Sequence, residues 1–237
     1  MLNSQARIGL IIPSVNQMTE PQFYKYAPSE IGVHVTRLRM TGKWRKPHDQ
    51  LKEAIAEAAR ALSDTRPGII VFHCTASSME EGLEGEARLV EHIRSNSDCP
   101  AITTGQAITE ALRHFGVRKL VLISPYVEET NQHEVRYLRE AGIEVVHELG
   151  LGLPGATEYG RVTPQEWKEI VLGNARPEAE GYLLSCTATT MIEVIEDCER
   201  QLNRPVITSN QATLWACLQR LGFSRPIKGL GRLFGKS

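Results

Sequence analysis

The sequence has no excess of charge and no long hydrophobic run, and both absences exclude classes of function. Its 237 residues carry 27 basic and 28 acidic side chains, so we expect no basic surface for nucleic acid or anionic membranes. No apolar run approaches the roughly 18–20 residues that span a bilayer. The first residues, Met1–Arg7, are polar and lack the apolar core of a secretory signal. We therefore predict a cytoplasmic protein without a nucleic-acid or membrane partner.

Motifs for metals, nucleotides and serine nucleophiles are also missing. The sequence contains no CxxC pair, no HxxxH pair, no Walker lysine loop and no GxSxG elbow. Gly150–Gly155 matches GxGxxG formally, but Pro154 interrupts it and we expect no helix at its end, so we interpret it as a loop. Five cysteines, an odd number, without a secretory signal indicate reduced thiols. The sequence predicts neither a cofactor nor a metal.

Short apolar runs alternate with longer amphipathic stretches along the whole chain. The runs typical of strands are Ile8–Ile12, Val33–Leu38, Gly68–Phe72, Leu120–Ile123, Glu144–Glu148 and Tyr182–Leu184. The stretches with helical spacing are Leu51–Leu62, Leu83–Ile93, Ala107–Phe115, Thr130–Ala141, Pro164–Leu172, Met191–Leu202 and Ala212–Leu221. Several strand runs have no polar face, as in parallel sheets covered on both sides, so we predict an α/β fold.

An internal repeat organises this alternation. Cys74–Ser78 has the sequence CTASS and follows one apolar run, whereas Cys186–Thr190 has the sequence CTATT and follows another. Two further pairs occur in the same order, Ile11–Pro13 with Ile123–Pro125 and Pro100–Ala107 with Pro205–Ala212. We predict two similar Rossmann-like α/β halves with parallel sheets, residues 1–116 and 117–237, related by a pseudo-twofold axis.

The repeat predicts an active site in the cleft between the halves. Ligands of open α/β sheets bind beyond the carboxyl ends of strands, where Cys74 and Cys186 both lie. A pseudo-twofold would turn these cysteines toward each other. Since a thiolate is a nucleophile and a thiol can return a proton, we interpret them as a catalytic pair. The alternative is two buried structural thiols, which is our interpretation of Cys99, Cys198 and Cys217.

Polar residues at other strand ends complete the expected site. Asn16 and Tyr126 follow the first strand of each half, and their amide and hydroxyl groups suit a substrate carboxylate or an enolate oxygen. The alternative for each, and for the neighbouring Ser14, is an ordinary turn residue. His73 adjoins Cys74, but neighbours on a strand point to opposite faces, so we do not expect His73 to act as its base.

Taken together, these residues resemble the aspartate/glutamate racemase superfamily. The resemblance is strongest to the branch that contains maleate cis–trans isomerases and arylmalonate decarboxylases, and it covers nearly the whole chain. The motifs that carry it are Arg7–Asn16, the two cysteine loops, Ser124–Tyr126, Ile207–Ala212 and Gly229–Leu233.

The resemblance implies a role for each of these motifs. Cys74 would be the nucleophile or base of the first half, and Cys186 the opposed acid or base. Asn16 and Tyr126, with the backbone amides after each cysteine, would hold the carboxylates of a small carboxylic-acid substrate. The residues expected to bind this substrate are Ser14, Asn16, Thr75, Ala76, Tyr126, Thr187 and Ala188. The resemblance also implies a homo-oligomer, either a dimer or a tetramer.

The reaction that the resemblance implies is cofactor-independent cis–trans isomerisation of a small dicarboxylic acid, with maleate as the leading substrate. The alternatives are two-cysteine racemisation of an amino acid or related acid, arylmalonate-type decarboxylation, and binding of a small acid without catalysis. Decarboxylases of this branch keep only the second-half cysteine, so Cys74 argues against decarboxylation. One departure follows Leu151–Pro154, where maleate isomerases usually carry Asp-Asn and this chain has Gly155-Ala156.

Overall fold

A computed structural model of the protein describes residues 6–40 and 47–235. These residues form two four-stranded parallel sheets with flanking helices, which confirms the predicted α/β fold. Of the polar segment Met1–Arg7, residues 1–5 lie outside the described part. Within the described ranges, no helix combines the length and the apolar character that crossing a bilayer requires.

The first sheet has the strand order β2-β1-β3-β4. β1 (Ala6–Pro13) lies between β2 (Ile31–Leu38) and β3 (Ile69–Phe72), and β4 (Ala101–Thr103) forms one edge. Every residue of β3 is buried, as expected for a parallel strand covered on both faces. The helices described in this half are α1 (Thr19–Tyr26), α2 (His48–Ser63), α3 (Thr75–Met79), α4 (Gly82–Arg94) and α5 (Thr104–His114).

The second sheet repeats this arrangement as β6-β5-β7-β8. β5 (Lys119–Ser124) lies between β6 (Glu144–Gly150) and β7 (Gly181–Leu184), and β8 (Val206–Thr208) forms one edge. Its helices are α6 (Glu128–Glu140), α7 (Ala156–Tyr159), α8 (Pro164–Gly173), a 3-10 helix (Met191–Val194), α9 (Ile195–Leu202), α10 (Ser209–Arg220) and α11 (Gly231–Phe234). The matching strand orders are the structural counterpart of the sequence repeat. The domain boundary after residue 116 stays a prediction.

The repeated segments Pro100–Ala107 and Pro205–Ala212 both contain Thr-x-x-Gln, and this shared motif has a local structural reason. The Thr103 hydroxyl accepts the backbone N–H of Gln106 at 3.1 Å, and the Gln106 side chain accepts the backbone N–H of Thr103 at 3.3 Å. Thr208 and Gln211 form the same pair of bonds at the start of α10. Both are capping boxes, which satisfy backbone donors that a helix start leaves free. In each half the box turns the last strand directly into a helix.

The two halves share one hydrophobic core. α5 packs against α10, and the core contains strand residues of both sheets, among them Ile8, Ile69, Leu120 and Leu183. Close packing of this kind leaves little freedom for one sheet to move against the other. It therefore fixes the position of β3 relative to β7, and these strands lead into the two cysteine loops.

Several helical details differ from the sequence prediction, and the short helices α3 and α11 were not among the predicted ones. The helix predicted over Met191–Leu202 begins as a 3-10 turn and becomes α-helical only at Ile195. α1 was not predicted either, because it begins beside the turn in which Asn16 Oδ1 accepts two backbone N–H groups and not at an apolar repeat. The expectation that no helix follows Gly155 was wrong, since the one-turn helix α7 begins at Ala156.

Candidate active site

Both predicted catalytic cysteines lie just beyond the carboxyl end of a central strand. His73 separates Cys74 from β3, and Ser185 separates Cys186 from β7. The two thiols are buried, with exposed fractions of 9% and 5%, and neither forms a disulfide. Because β3 and β7 hold equivalent places in the two sheets, the two cysteine loops are equivalent as well.

One backbone N–H and one side-chain hydroxyl lie at the Cys186 thiol. The backbone N–H of Ala188 donates to its sulfur at 3.3 Å. Burial raises the pKa of Cys186 to about 12, while the nearby Tyr126 hydroxyl and the Ala188 N–H lower it. Burial raises the pKa of Tyr126 well above its usual value, so its hydroxyl stays neutral. Cys186 is therefore a neutral thiol at neutral pH, with the Ala188 N–H bonded to its sulfur and the Tyr126 hydroxyl close by.

Cys74 belongs to the same electrostatic environment. Its thiol donates to the Ser77 hydroxyl at 3.4 Å. The helix α3 begins at Thr75, directly after Cys74. Negative charge on Cys74 raises the pKa of both Cys186 and Tyr126. Since Coulomb energy falls with distance, these effects are consistent with a short separation between Cys74 and the other two groups. Charge on both thiols at once is disfavoured.

One hydroxyl joins the two cysteine loops. Ser209, the first residue of α10, accepts the Thr75 hydroxyl at 2.9 Å and the backbone N–H of Cys186 at 3.1 Å. All three residues are buried. Because Thr75 follows Cys74 directly, a single oxygen fixes the first-half loop against the second-half loop. The Thr75 side chain is engaged in this contact, and its role in substrate binding stays a prediction.

Replacing Ser209 with alanine should destabilise the protein by about 1–3 kcal/mol, because a buried hydroxyl and a buried backbone N–H lose their acceptor. Urea unfolding would measure the loss. Ser95→Ala is the control, since Ser95 also makes a hydrogen bond, to the His92 carbonyl, but is exposed. Equal losses in the two variants would show that the contact between the loops contributes no stability of its own.

Asn16 starts α1 and also reaches the second half. Its Oδ1 accepts the backbone N–H groups of Met18 at 2.9 Å and Thr19 at 3.0 Å. Its Nδ2 donates to the Thr187 hydroxyl oxygen at 3.0 Å. An amide nitrogen carries two hydrogens and a hydroxyl carries one. Within the described part of the chain, one N–H of Asn16 and the hydroxyl hydrogen of Thr187 are thus left to donate to a ligand.

A chain of buried polar groups runs from His73 to Thr187. The His73 ring is bonded through Nδ1 to the Thr104 hydroxyl at 2.9 Å and through Nε2 to Asn210 Oδ1 at 2.8 Å. Asn210 in turn donates to the carbonyl of Thr187 at 3.1 Å. Burial lowers the pKa of His73 to about 4, so the ring is neutral at pH 7. Because both ring nitrogens are engaged in these bonds, neither is free to accept a proton from Cys74.

A second network, which sequence reasoning missed, holds Tyr126. Its backbone N–H donates to the Ser124 hydroxyl at 3.2 Å, Ser124 donates to Asn131 at 2.7 Å, and Asn131 donates to Glu148 at 2.7 Å. The ring of Tyr126 meets that of Tyr159 edge-on, with 5.6 Å between centroids. Ser124 belongs to a motif that the sequence showed. Glu148 carries no such signal, because only the pairing of β5 with β6 brings it near.

The remaining predicted binding residues lie in two different surroundings, Ser14 beside β2 and the two alanines in an apolar cluster. The backbone N–H of Ser14 donates to the Leu38 carbonyl at 2.7 Å, and its own carbonyl accepts Arg37 at 3.0 Å, so its backbone is attached to β2. A small apolar cluster contains Ala76, Tyr126, Ala156, Tyr159, Cys186 and Ala188. Two of its members, Ala156 and Tyr159 of α7, were not predicted as site residues.

Within residues 6–40 and 47–235, no group of three or more His, Cys, Asp or Glu side chains is placed to hold a metal ion.

Comparisons with known proteins show the family and the fold of the chain. A family model described as arylmalonate decarboxylase matches residues 8–234. The chain is 28% identical to a maleate isomerase of Geobacillus stearothermophilus over 96% of each protein. It is 25% identical to an arylmalonate decarboxylase of Bordetella bronchiseptica over 99% of this chain and 98% of the relative. In fold it is similar to a Nocardia farcinica maleate cis–trans isomerase mutant with a covalently bound succinylcysteine intermediate (TM-score 0.88, 21% identity, 97% and 98% coverage).

Proposed function

The chain belongs to the arylmalonate decarboxylase family, and from this premise we propose that it is a cofactor-independent isomerase of a small dicarboxylic acid. The proposed reaction is of the maleate-to-fumarate type, with Cys74 and Cys186 as the reacting groups. One observation carries the proposal, which is that the buried Ser209 hydroxyl accepts both the Thr75 hydroxyl and the backbone N–H of Cys186 and so holds the two cysteine loops together. The full-length similarity to maleate isomerases supports it.

In the proposed first step, the Cys74 thiolate adds to one alkene carbon of maleate. The carbon–sulfur bond forms, the double bond breaks, and the electron pair moves to the neighbouring carbon, where the adjacent carboxylate takes up charge as an enediolate. The Cys186 thiol then donates its proton to that carbon. A covalent succinylcysteine in the Nocardia farcinica neighbour supports such an adduct.

The coupling between the thiols suits this order of events. While Cys74 is a thiolate, its charge raises the pKa of Cys186 and keeps the proton in place. Once Cys74 has become a thioether, this charge is gone and Cys186 is a stronger acid. The donors Tyr126 and Ala188 then stabilise the Cys186 thiolate that forms.

The second half of the reaction reverses the first. The new single bond permits rotation, after which the Cys186 thiolate removes the proton, the double bond re-forms in the trans geometry, and Cys74 leaves as a thiolate. Both cysteines return to their starting states, so the cycle consumes no co-reactant.

The carboxylates would be held mainly by neutral donors. The donors available to them are the remaining N–H of Asn16, the Thr187 hydroxyl and the backbone N–H groups that follow Cys74. Such preorganised donors also stabilise the charge that develops on an enediolate.

Two-cysteine racemisation is the second candidate, because two thiols in one site could equally exchange a proton on opposite faces of one carbon. Incubation in D₂O with maleate, aspartate, glutamate and an arylmalonate, followed by NMR, separates the reactions. We expect fumarate from maleate. Deuteration of an amino acid at its α-carbon would support racemisation instead, and CO₂ release would support decarboxylation.

A small-acid binding protein would give no product from any of these acids and would keep its ligand affinity in Cys74→Ser and Cys186→Ser. That combination of results would overturn the proposed isomerase. The homo-oligomeric state and the cytoplasmic location also stay predictions, and sedimentation analysis of the purified protein would test the first.

A further inference from the structure

Glu134 is a fully buried carboxyl group that the proposed mechanism does not use. It lies in α6, the helix that follows Tyr126, and its exposed fraction is 0%. Neither of its carboxyl oxygens has a hydrogen-bond partner in the described part of the chain. A buried polar group without a partner costs stability, so its presence in the core calls for a functional reason.

The backbone around Glu134 leads to the Cys186 loop. Asn131 lies three residues earlier on the same face of α6, and it accepts the hydroxyl of Ser124, the last residue of β5, at 2.7 Å. One residue earlier in β5, the Ile123 carbonyl accepts the backbone N–H of Ser185 at 2.8 Å. Ser185 is the residue before Cys186, and its buried hydroxyl also has no hydrogen-bond partner in the described part of the chain.

The electrostatics agree with this placement. Ser185 lowers the pKa of the Glu134 carboxyl, and negative charge on Glu134 raises the pKa of both Cys186 and Tyr126. Glu134 is therefore coupled to the thiol and to the Tyr126 hydroxyl near it.

Charged groups on the elements packed against α6 are engaged elsewhere. Glu86 of α4 accepts the Tyr137 hydroxyl at 2.6 Å, and Glu148 of β6 accepts Asn131 at 2.7 Å. α3 contributes no titratable side chain, but Cys74 lies immediately before it. The titratable groups whose pKa the charge of Glu134 changes are Tyr126 and Cys186.

We propose that Glu134 is a positioning residue that controls the protonation of Cys186. While its carboxyl is neutral, Cys186 can release a proton to the substrate, whereas an ionised Glu134 holds that proton on the sulfur. The inference rests on the proposed role of Cys186 as the acid of the reaction.

The pH range of this control follows from burial. Burial raises the pKa of Glu134 to about 8, so the carboxyl is neutral below this pH and charged above it. Charge that appears above about pH 8 opposes a Cys186 thiolate, and turnover should fall there. The Glu134→Gln variant keeps the shape of the neutral acid and lacks the charge, so its turnover should fall less at alkaline pH.

The test measures Cys186 itself, without substrate. The rate at which a small alkylating reagent modifies Cys186 is followed by peptide mass spectrometry between about pH 6 and pH 10 in wild type and Glu134→Gln. We expect equal rates below about pH 7 and a rate at least about twofold higher in Glu134→Gln above about pH 9, because the charge that opposes the Cys186 thiolate is then missing. Glu129→Gln, on the exposed side of α6, is the matched control and should follow wild type.

The proposal is overturned if Cys186 is alkylated at the same rate in both proteins at every pH. It is also overturned if the ratio of the two rates is the same at every pH, because a constant ratio indicates a structural change and not a titrating charge. If Cys186 is too enclosed for the first reagent, a smaller oxidant that also reacts with thiolates, such as hydrogen peroxide, gives the same comparison. Failure of the isomerase assay would leave this result standing, so the two proposals fail separately.

Discussion

The Cys74→Ser variant is expected to isomerise maleate at least about a thousandfold more slowly than the wild type, because a serine hydroxyl is a far weaker nucleophile than a thiolate. The fold should be unchanged, since serine can keep the bond to Ser77. NMR of the maleate and fumarate signals would measure the rate, and thermal unfolding would check the fold.

Cys99→Ser is the control for that experiment. Cys99 is partly buried outside the site, where its sulfur contacts Ser97 and the Pro100 carbonyl. Its replacement should leave the isomerisation rate within about twofold of wild type, as is usual for a substitution away from the reacting groups. If the Cys74→Ser variant retained the wild-type rate, Cys74 would not be the nucleophile.

The Cys186→Ser variant is expected to lose about a hundredfold to ten-thousandfold in turnover, the usual contribution of a positioned acid–base group. The nucleophile Cys74 remains in this variant. We therefore expect an adduct with maleate to accumulate on Cys74, because no thiolate is present to remove the proton and release the product. Intact-protein and peptide mass spectrometry would detect and locate the adduct.

The control here must be a buried cysteine, because Cys186 is buried. Cys217 in α10 is fully buried, and burial raises its pKa to about 12 as well. Cys217→Ser should lower the free energy of unfolding. The turnover of the folded fraction should stay at the wild-type value. If Cys186→Ser turned over as fast as this control, Cys186 would be a structural thiol.

The fold was predictable because its signals are local and repeated. Continuous apolar runs such as Ile8–Ile12 and Gly68–Phe72 identify covered parallel strands, and the Thr-x-x-Gln motif marks the same strand-to-helix turn in each half. α7 was missed because four residues carry no helical period. Short elements of this kind depend on what packs against them, which the sequence does not state.

The site was predictable only where the repeat marked it. Cys74 and Cys186 stood out as equivalent residues, and Asn16 and Tyr126 as residues beyond strand ends. The contact between Thr75 and Ser209 could not be foreseen, because it requires both halves to be packed. Glu134 was missed for another reason, since a glutamate in an amphipathic helix is normally interpreted as solvent-exposed.

Protection of the thiols by one small dicarboxylate is the most direct test that both cysteines serve one substrate. Succinate, which resembles maleate but has no double bond to attack, would be titrated while the alkylation of each cysteine is followed by peptide mass spectrometry. The account predicts that Cys74 and Cys186 are protected together, at the same succinate concentration, and that Cys99 is unaffected. Protection of one cysteine alone, or of the two at clearly different concentrations, would contradict it.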